Sequence, residues 1–442
     1  MRGRRVLLVN PWVYDFAAYD LWAKPLGLLY LGAMLRQNGC RVDLIDCLAF
    51  DQPVPKAYGQ GQFRREVVEK PTLLKHLPRY YARYGMSMEE FHARLMRVER
   101  PDVVLVTSLM TYWYPGVFEA IRRIKAAFPN VPVILGGVYA TLCPEHAAAN
   151  SGADYIITGE GEVKLMNILT GLWEEKPDYP PDPDDLDARA YPCWDLEPSL
   201  RYGCILTSRG CPYRCTYCAA HMMAGGMRRR DPLKVADEIA FWQHRGIRDF
   251  AFYDDALLTQ SESFAVSLLQ AIVGRGLDAR FHCPNALHAR FITPELARWM
   301  WAAGFITIRL GFETSDPARQ LSTGNKITTP EFLRAVDNLR QAGYEGKDIG
   351  VYILCGLPRQ DAAEVFEAIR LVHANGARPI LTEYSPIPHT GLWDQAVAAS
   401  PYPLAEEPLF HNNSLLPCEW TGFTSAMYQE LRQACRESLK SL

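Results

Sequence analysis

The sequence predicts an α/β protein with two successive parallel-sheet domains and a short helical C-terminal appendage. Short β-branched runs alternate with amphipathic stretches over residues 1–175, and the alternation resumes over residues 199–395. Such alternation favours parallel sheets that helices cover on both faces. Between the two stretches, residues 176–198 contain six prolines and six aspartates, a composition that excludes a long helix and is typical of an extended linker.

The first domain, residues 1–175, is predicted to be a Rossmann-like open sheet. Its strands are expected at residues 5–9, 41–45, 103–107, 131–135 and 155–157, and its helices at residues 26–37, 117–127 and 144–150. In such sheets ligands bind at the carboxyl ends of the strands. An insertion at about residues 50–100, rich in tyrosine and arginine, is expected to be either a lid over that crevice or a solvated helical excursion.

The second domain, residues 199–395, is predicted to be a partial (βα)6 barrel, because six strand and helix pairs follow one another. Its strands are expected at residues 204–207, 249–253, 279–282, 306–311, 349–355 and 379–384. Asp231 and Pro232 supply an N-cap and a first-turn proline to the first long helix. Residues 396–442 form the appendage, which ends in a helix from about residue 426.

Composition limits the classes of partner and of compartment. Lys and Arg number 47 against 50 Asp and Glu, and the resulting net charge of -3 argues against a nucleic-acid partner. We expect no membrane span, because the chain lacks about 18 consecutive apolar residues, and no secretory signal. The expected location is cytoplasmic. There, twelve cysteines indicate thiols or metal ligands rather than a disulfide framework.

A cysteine motif after the first predicted barrel strand carries the chemistry. Cys211, Cys215 and Cys218 have the spacing C-x3-C-x2-C. Three thiolates on one loop can hold three irons of a [4Fe-4S] cluster and leave the fourth iron without a protein ligand. The alternative is a zinc site in which Cys204 or His221 is the fourth ligand.

On this motif the sequence resembles the radical SAM superfamily. The resemblance implies that the open iron binds S-adenosylmethionine (SAM) and that an electron from the reduced cluster releases a 5′-deoxyadenosyl radical. Segments in the family's order over about 190 residues imply the SAM contacts Tyr217, Asp254, Asp255, Glu313, Gly356 and Pro388. For Asp255 the alternative role is a helix cap.

The first domain resembles the cobalamin (B12)-binding domain that precedes this barrel in many family members. The implied cobalamin contacts are Ser108, Met110, Tyr112, Gly136, Gly137 and Gly159. The usual D-x-H-x-x-G loop is absent, since the first histidine is His76, so the resemblance does not imply a histidine ligand below the cobalt. The alternative is that the apolar segment around Tyr112 is only domain-interface core.

Together, the two resemblances imply a cobalamin-dependent radical SAM enzyme similar to the class B methyltransferases. The preferred reaction is C-methylation of an unactivated carbon. A low-potential electron donor such as flavodoxin or ferredoxin is expected, while the substrate and the catalytic side chains stay unassigned. The alternatives are a radical SAM enzyme that cyclises, rearranges or oxidises its substrate, and a non-catalytic iron-sulfur electron carrier or assembly factor.

A methylthiotransferase is disfavoured because its first domain carries a second cluster on three cysteines. Cys40, Cys47 and Cys143 of this chain lie in no such motif.

Overall fold

The computed structural model describes residues 1–49, 57–197 and 200–438. It divides into a first unit, residues 1–201 with 222–225, and a second unit, residues 202–221 with 226–442. The segment rich in Pro and Asp therefore folds with the first unit. Parts of the predicted insertion (50–56), linker (198) and appendage (439–442) lie outside the described residues.

The first unit is built on a five-stranded parallel sheet. Its strands, with those of the smaller sheets around it, are β1 (Arg5–Asn10), β2 (Val13–Asp15), β3 (Tyr19–Asp20), β4 (Arg41–Asp46), β5 (Gly61–Gln62), β6 (Arg65–Val68), β7 (Tyr81–Tyr84), β8 (Val103–Val106), β9 (Val133–Leu135) and β10 (Tyr155–Ile156). The helices are α1 (Leu26–Gln37), α2 (Met88–Leu95), α3 (Tyr114–Ala127), α4 (Val138–Leu142), α5 (Pro144–Asn150) and α6 (Glu162–Trp173).

The order of the parallel strands is β4-β1-β8-β9-β10. After β1 the chain therefore adds β4 on one side of β1, and it then adds β8, β9 and β10 in turn on the other side. In a doubly wound sheet the crevice at this reversal, outside the carboxyl ends of the strands, is where ligands bind. Helices cover both faces of the sheet, which explains why β1 and β8 are nearly continuous runs of buried aliphatic residues.

The described part of the predicted insertion combines short strands with helical turns. β7 pairs antiparallel with β2 on one side and with β6 on the other, and all four of its residues are buried. One helix follows, α2, where the Ser87 hydroxyl accepts a hydrogen bond from the Glu90 backbone N–H. The aromatic and β-branched side chains of β6 and β7 favour strand pairing, so the segment is not helical throughout, and a lid role for it stays a prediction.

The second unit has six parallel strands in sequential order, which confirms the α/β fold class and the partial barrel. Its strands are β11 (Gly203–Ile205), β12 (Ser208–Arg209), β13 (Arg228–Arg229), β14 (Asp249–Phe252), β15 (Arg280–His282), β16 (Phe305–Glu313), β17 (Ile349–Cys355) and β18 (Arg378–Glu383), of which β12 and β13 form a separate antiparallel pair. The helices are α7 (Ala220–Met223), α8 (Pro232–Gln243), α9 (Val266–Gly274), α10 (Pro294–Ala302), α11 (Pro317–Ser322), α12 (Thr329–Gln341), α13 (Ala362–Ala374), α14 (Trp393–Ala399) and α15 (Ser425–Ser438).

Aromatic rings and helix caps fix the barrel. Phe252 of β14 stacks on Phe305 of β16 with ring centroids 5.4 Å apart, and Phe281 of β15 lies 5.2 Å from Phe305. Asp231 caps α8, where its side chain accepts a hydrogen bond of 2.7 Å from the Leu233 N–H. These contacts pack β14, β15 and β16 against one another and fix the start of α8.

The C-terminal helix covers the last strand of the barrel. α15 packs against β18 and α13, and the Tyr428 hydroxyl donates a hydrogen bond to Glu383 at the end of β18. An open sheet exposes unpaired backbone at its edge, so this helix shields β18 from pairing with another chain. Among the described residues, no helix has both the length and the apolar composition that crossing a membrane requires.

Candidate functional site

The three motif cysteines lie on the loop that follows the first barrel strand. Cys215 is buried and Cys211 and Cys218 are half-buried, while the Ala220 backbone N–H points at the Cys218 sulfur from 3.5 Å. Burial raises the pKa of all three thiols, that of Cys218 to about 11. The thiolate forms therefore need positive charge among the sulfurs, which a bound metal centre supplies.

The fit of an iron-sulfur cluster rests on the chemistry of these donors. Cys215 and Cys211 both act electrostatically on Cys218, so the three sulfurs are near neighbours. Within residues 1–49, 57–197 and 200–438, no three His, Cys, Asp or Glu side chains already converge on a metal-sized point. The cysteine assignment therefore stays a prediction.

Loops from two later strands hold the cysteine loop. The Thr216 N–H donates to the Thr323 carbonyl at 3.2 Å, and the Leu392 N–H donates to the Thr216 carbonyl at 2.8 Å. Gly324, with φ of +117°, approaches so closely that a Cβ would lie 3.0 Å from the Cα of Cys215. These partners are more than 100 residues away in sequence, so the motif alone could not reveal them.

A histidine supports the same loop through its ring. His288 stacks on Tyr213, which lies between the first two motif cysteines, with ring centroids 4.7 Å apart. Burial lowers the pKa of His288 to about 3, and the charges of Lys326 and Arg290 act in the same direction. The ring is therefore neutral, and it contributes stacking to the loop rather than charge.

The two adjacent aspartates after β14 have different environments. Asp254 is 4% exposed, and its carboxylate accepts hydrogen bonds from the hydroxyls of Thr207 at 2.7 Å and Ser208 at 2.5 Å. Asp255 is exposed at the mouth of the site, yet the surrounding protein desolvates it and, with Asp254, raises its pKa to about 6. Asp254 thus supports the start of the cysteine loop, and Asp255 is the one open to a ligand.

The alternative role for Asp255 as a helix cap is wrong. The next helical turn of the chain begins six residues later, at Ser261.

Glu313 ends β16 next to a β-bulge and has a φ of +69°, a strained value for a residue with a side chain. Its Oε1 lies 3.0 Å from Nζ of Lys326. Burial raises the pKa of Tyr217 well above its usual value, and the nearby Glu313 carboxylate and Cys215 add to the shift. The structure therefore brings Tyr217, Glu313 and Cys215 together and adds Lys326, which sequence reasoning missed.

The two remaining predicted SAM contacts lie at the same end of the barrel. Gly356 follows β17 with a φ of +81°, and Pro388 is buried in the loop after β18. The carboxyl ends of barrel strands are where such folds place their chemistry. The described contacts do not join either residue directly to Glu313 or to the cysteines, so their roles stay predictions.

In the first unit, the ends of β8 and β9 meet through Ser108 and two glycines. The Ser108 hydroxyl donates to the Gly136 carbonyl at 2.7 Å and accepts a hydrogen bond from the Ala140 N–H at 3.3 Å. A Cβ on Gly137 would lie 2.2 Å from the Ser108 carbonyl oxygen, and the φ of Gly137 is +97°. Only glycine allows this approach of the two strand ends.

Thr141 joins the end of β10 to the same turn. Its hydroxyl donates to the Gly137 carbonyl at 2.7 Å and accepts a hydrogen bond from the Gly159 N–H at 2.9 Å. Ser108, Gly136, Gly137 and Gly159 therefore form one cluster at the strand ends, with Thr141 as a member that the sequence did not reveal.

The two predicted apolar contacts after β8 differ in exposure. Met110 is 47% exposed, whereas Tyr112 is 7% exposed and packs edge-on against Trp113 with ring centroids 5.9 Å apart. Met110 is accessible to a ligand at this surface, and Tyr112 belongs to the core beneath it. A cobalamin contact for either residue stays a prediction.

Two protein-family models match this chain. The model of the radical SAM superfamily matches residues 205–372, and that of the B12 binding domain matches residues 81–169. The first range contains the cysteine loop and the ends of β14, β16 and β17. The second contains the cluster of Ser108, Gly136, Gly137 and Gly159.

Curated relatives and solved structures agree with these models. An uncharacterised methyltransferase of Pyrococcus horikoshii is 24% identical over 91% of this chain and 82% of its own length. An anaerobic magnesium-protoporphyrin IX monomethyl ester cyclase of Rubrivivax gelatinosus is 23% identical over 67% of this chain and 58% of its own length. The radical S-adenosylmethionine methyltransferase TsrM from Kitasatospora setae shares the fold, with a TM-score of 0.70 at 18% identity over 99% of this chain and 89% of that chain.

Proposed function

This chain belongs to the radical SAM superfamily and carries an N-terminal B12-binding domain, and we propose that it is a cobalamin-dependent enzyme that methylates an unactivated carbon. The observation that carries the proposal is the loop with Cys211, Cys215 and Cys218 at the carboxyl end of the first barrel strand. The methyltransferase relative that aligns with 91% of the chain supports methylation as the reaction.

When bound, a [4Fe-4S] cluster supplies the electron that cleaves SAM, and cobalamin carries the methyl group. The three motif cysteines would hold the cluster by three irons and leave the fourth open to SAM. The turn formed by Ser108, Gly136, Gly137 and Gly159 would let the backbone approach the cobalamin tail, since Gly137 has no side chain where the turn is tightest.

The polar groups of the barrel mouth suit the amino-acid end of SAM. With a pKa of about 6, Asp255 is mainly ionised above that pH and can accept hydrogen bonds from an ammonium group. Glu313 offers a second carboxylate beside the cysteine loop. Asp254 is already bonded to Thr207 and Ser208, so we assign it to holding the loop rather than to SAM.

A radical reaction without methylation is the second candidate. It is favoured by the cyclase relative of Rubrivivax gelatinosus, which covers 67% of this chain. In either reaction we propose that a low-potential protein such as flavodoxin or ferredoxin delivers the electron. We expect the substrate to bind to the loops at the barrel mouth. The shape of these loops does not identify the substrate.

Product analysis distinguishes the two candidates. The whole chain is purified without oxygen, reconstituted with iron, sulfide and hydroxocobalamin, and given SAM with titanium(III) citrate as reductant. Methylation predicts S-adenosylhomocysteine, at about one per bound cobalamin, together with 5′-deoxyadenosine. 5′-Deoxyadenosine alone supports the second candidate, and neither product from a protein with a reduced cluster contradicts both.

A pair of cysteine variants controls this experiment. Cys215→Ala removes a predicted cluster ligand and should abolish 5′-deoxyadenosine formation. Cys435→Ala removes a buried thiol of the C-terminal helix and should retain it. Equal activity in the two variants would refute the ligand assignment.

A further inference from the structure

We propose that the positive charge of Lys326 raises the reduction potential of the cluster held by Cys211, Cys215 and Cys218. The negative charge of Glu313 lowers the same potential. The inference rests on the proposed function, because it assumes that the cysteine loop holds a cluster. It assigns a role to the ion pair between Lys326 and Glu313.

The turn that precedes Lys326 packs against the cysteine loop. Gly324 and Asn325 have φ values of +117° and +49°, and Gly324 lies directly against the backbone of Cys215. Nζ of Lys326 then lies so close to Gly311 that a Cβ there would be 2.6 Å away. The absence of a side chain at Gly311 therefore makes the space that the Lys326 ammonium occupies.

Lys326 remains a cation in that space. Its side chain is 14% exposed and its Nζ lies 3.0 Å from Oε1 of Glu313. Burial lowers the pKa of Lys326, but the charges of Glu313 and Cys215 outweigh burial and raise it overall. The segment that carries this cation also packs on the predicted cluster ligands, since a Cβ on Gly324 would lie 3.0 Å from the Cα of Cys215.

A fixed cation beside the cluster favours the reduced form. Reduction adds one electron to a site where three thiolates already give a net negative charge, and the local dielectric constant is low. The Lys326 ammonium stabilises that added charge, while the Glu313 carboxylate opposes it from the same place. Removing one or the other should therefore shift the potential in opposite directions, which a merely structural disturbance would not do.

The test measures the midpoint potential of the cluster by anaerobic redox titration, read by electron paramagnetic resonance without SAM. Lys326→Met should lower the ratio of reduced to oxidised cluster at a fixed electrode potential at least tenfold, which is about 59 mV for one electron. Glu313→Gln should raise that ratio, and Lys326→Arg should restore it to within about threefold of the wild type. Lys347→Met removes an exposed lysine of the same unit and should leave the ratio unchanged.

Assays of iron and sulfide content distinguish a failure of the proposed function from a failure of the role of Lys326. A wild-type protein that holds no [4Fe-4S] cluster refutes the proposed function itself. A wild-type cluster whose potential is unchanged in Lys326→Met, or shifts in the same direction in Lys326→Met and Glu313→Gln, refutes the role of Lys326 alone. If Lys326→Met holds less iron than the wild type, Lys326→Gln takes its place and is judged by the same criterion.

Discussion

At the scale of single residues, Gly137 shows how the absence of a side chain shapes a site. Its φ of +97° and its approach to Ser108 both require glycine, whereas a Cβ on the neighbouring Gly136 would meet its nearest atom at an ordinary 3.8 Å. The two glycines look alike in the sequence. Only the first unit's fold distinguishes them, because the carbonyl of Ser108 faces one and not the other.

Gly137→Ala should destabilise the first unit by roughly 2 to 3 kcal/mol, since it adds a clash with backbone to a left-handed conformation. Gly136→Ala is the matched control and should change the free energy of unfolding by less than about 1 kcal/mol. Urea unfolding followed by circular dichroism measures both values. Equal effects of the two substitutions would mean that the turn accommodates the Gly137→Ala methyl group without a loss of stability.

The residues of the candidate site were predictable where local sequence carries the chemistry. The cysteine spacing and the run from Gly311 to Glu313 could be identified from a few adjacent residues. Lys326 and Thr141 could not, because each acts through a partner that lies in another segment. Lys326 reaches Glu313 only through the turn at Gly324, and Thr141 reaches Gly159 only when the ends of β9 and β10 meet.

At the scale of elements, the segment rich in Pro and Asp is docked rather than free. The Cys193 thiol donates to the Leu29 carbonyl of α1 at 3.0 Å, and Trp194 is 1% exposed. Oε2 of Glu197 lies 3.0 Å from Nζ of Lys24. The composition excluded a long helix correctly, but it carries no information about which surface such a segment packs against.

Glu197 makes this docking sensitive to pH. Burial raises its pKa to about 7, the neighbouring Asp46 adds to the shift, and Lys24 opposes it. The folded state therefore binds the proton more tightly than the unfolded state, whose ordinary value is 4.5. Stability from this group is full below pH 4.5 and is lost as the pH rises towards about 7, by at most roughly 3 kcal/mol at about 1.4 kcal/mol per unit.

Glu197→Gln should flatten this dependence, because the amide does not titrate. Urea unfolding followed by tryptophan fluorescence between about pH 5 and pH 8 measures the slope in the variant and the wild type. Glu345→Gln, which replaces an exposed carboxylate of the second unit, should retain the wild-type slope. A Glu197→Gln variant with the same pH dependence as the wild type would contradict the raised pKa of Glu197.

At the scale of the whole molecule, the order of elements was the most predictable property. Alternating strands and helices give parallel sheets by a right-handed winding that depends little on the details of any one side chain. The ends of the strands then fix where the loops begin, and the loops carry the side chains of the predicted cofactor sites. What the pattern could not give was the contribution of distant segments, such as β2 pairing with β7 and α15 packing on β18.

Each predicted cofactor site is formed by contacts within its own unit. The cysteine loop is held by Thr323, Gly324 and Leu392 of the second unit, and the Ser108 turn is held by Gly137 and Thr141 of the first. The two cofactors should therefore load independently. Replacing all three motif cysteines by alanine should remove the iron and leave the binding of hydroxocobalamin unchanged.

The reciprocal change is Met110→Glu, which adds a charge at an exposed position of the predicted cobalamin surface. It should lower hydroxocobalamin retention at least tenfold, since a bare carboxylate against an apolar ligand face loses hydration without gaining a partner, while iron content stays at the wild-type level. Visible absorbance after gel filtration and an iron assay measure the two quantities on the same sample. Loss of both cofactors in either variant would show that loading of one site depends on the other, and independent construction of the sites would then be wrong.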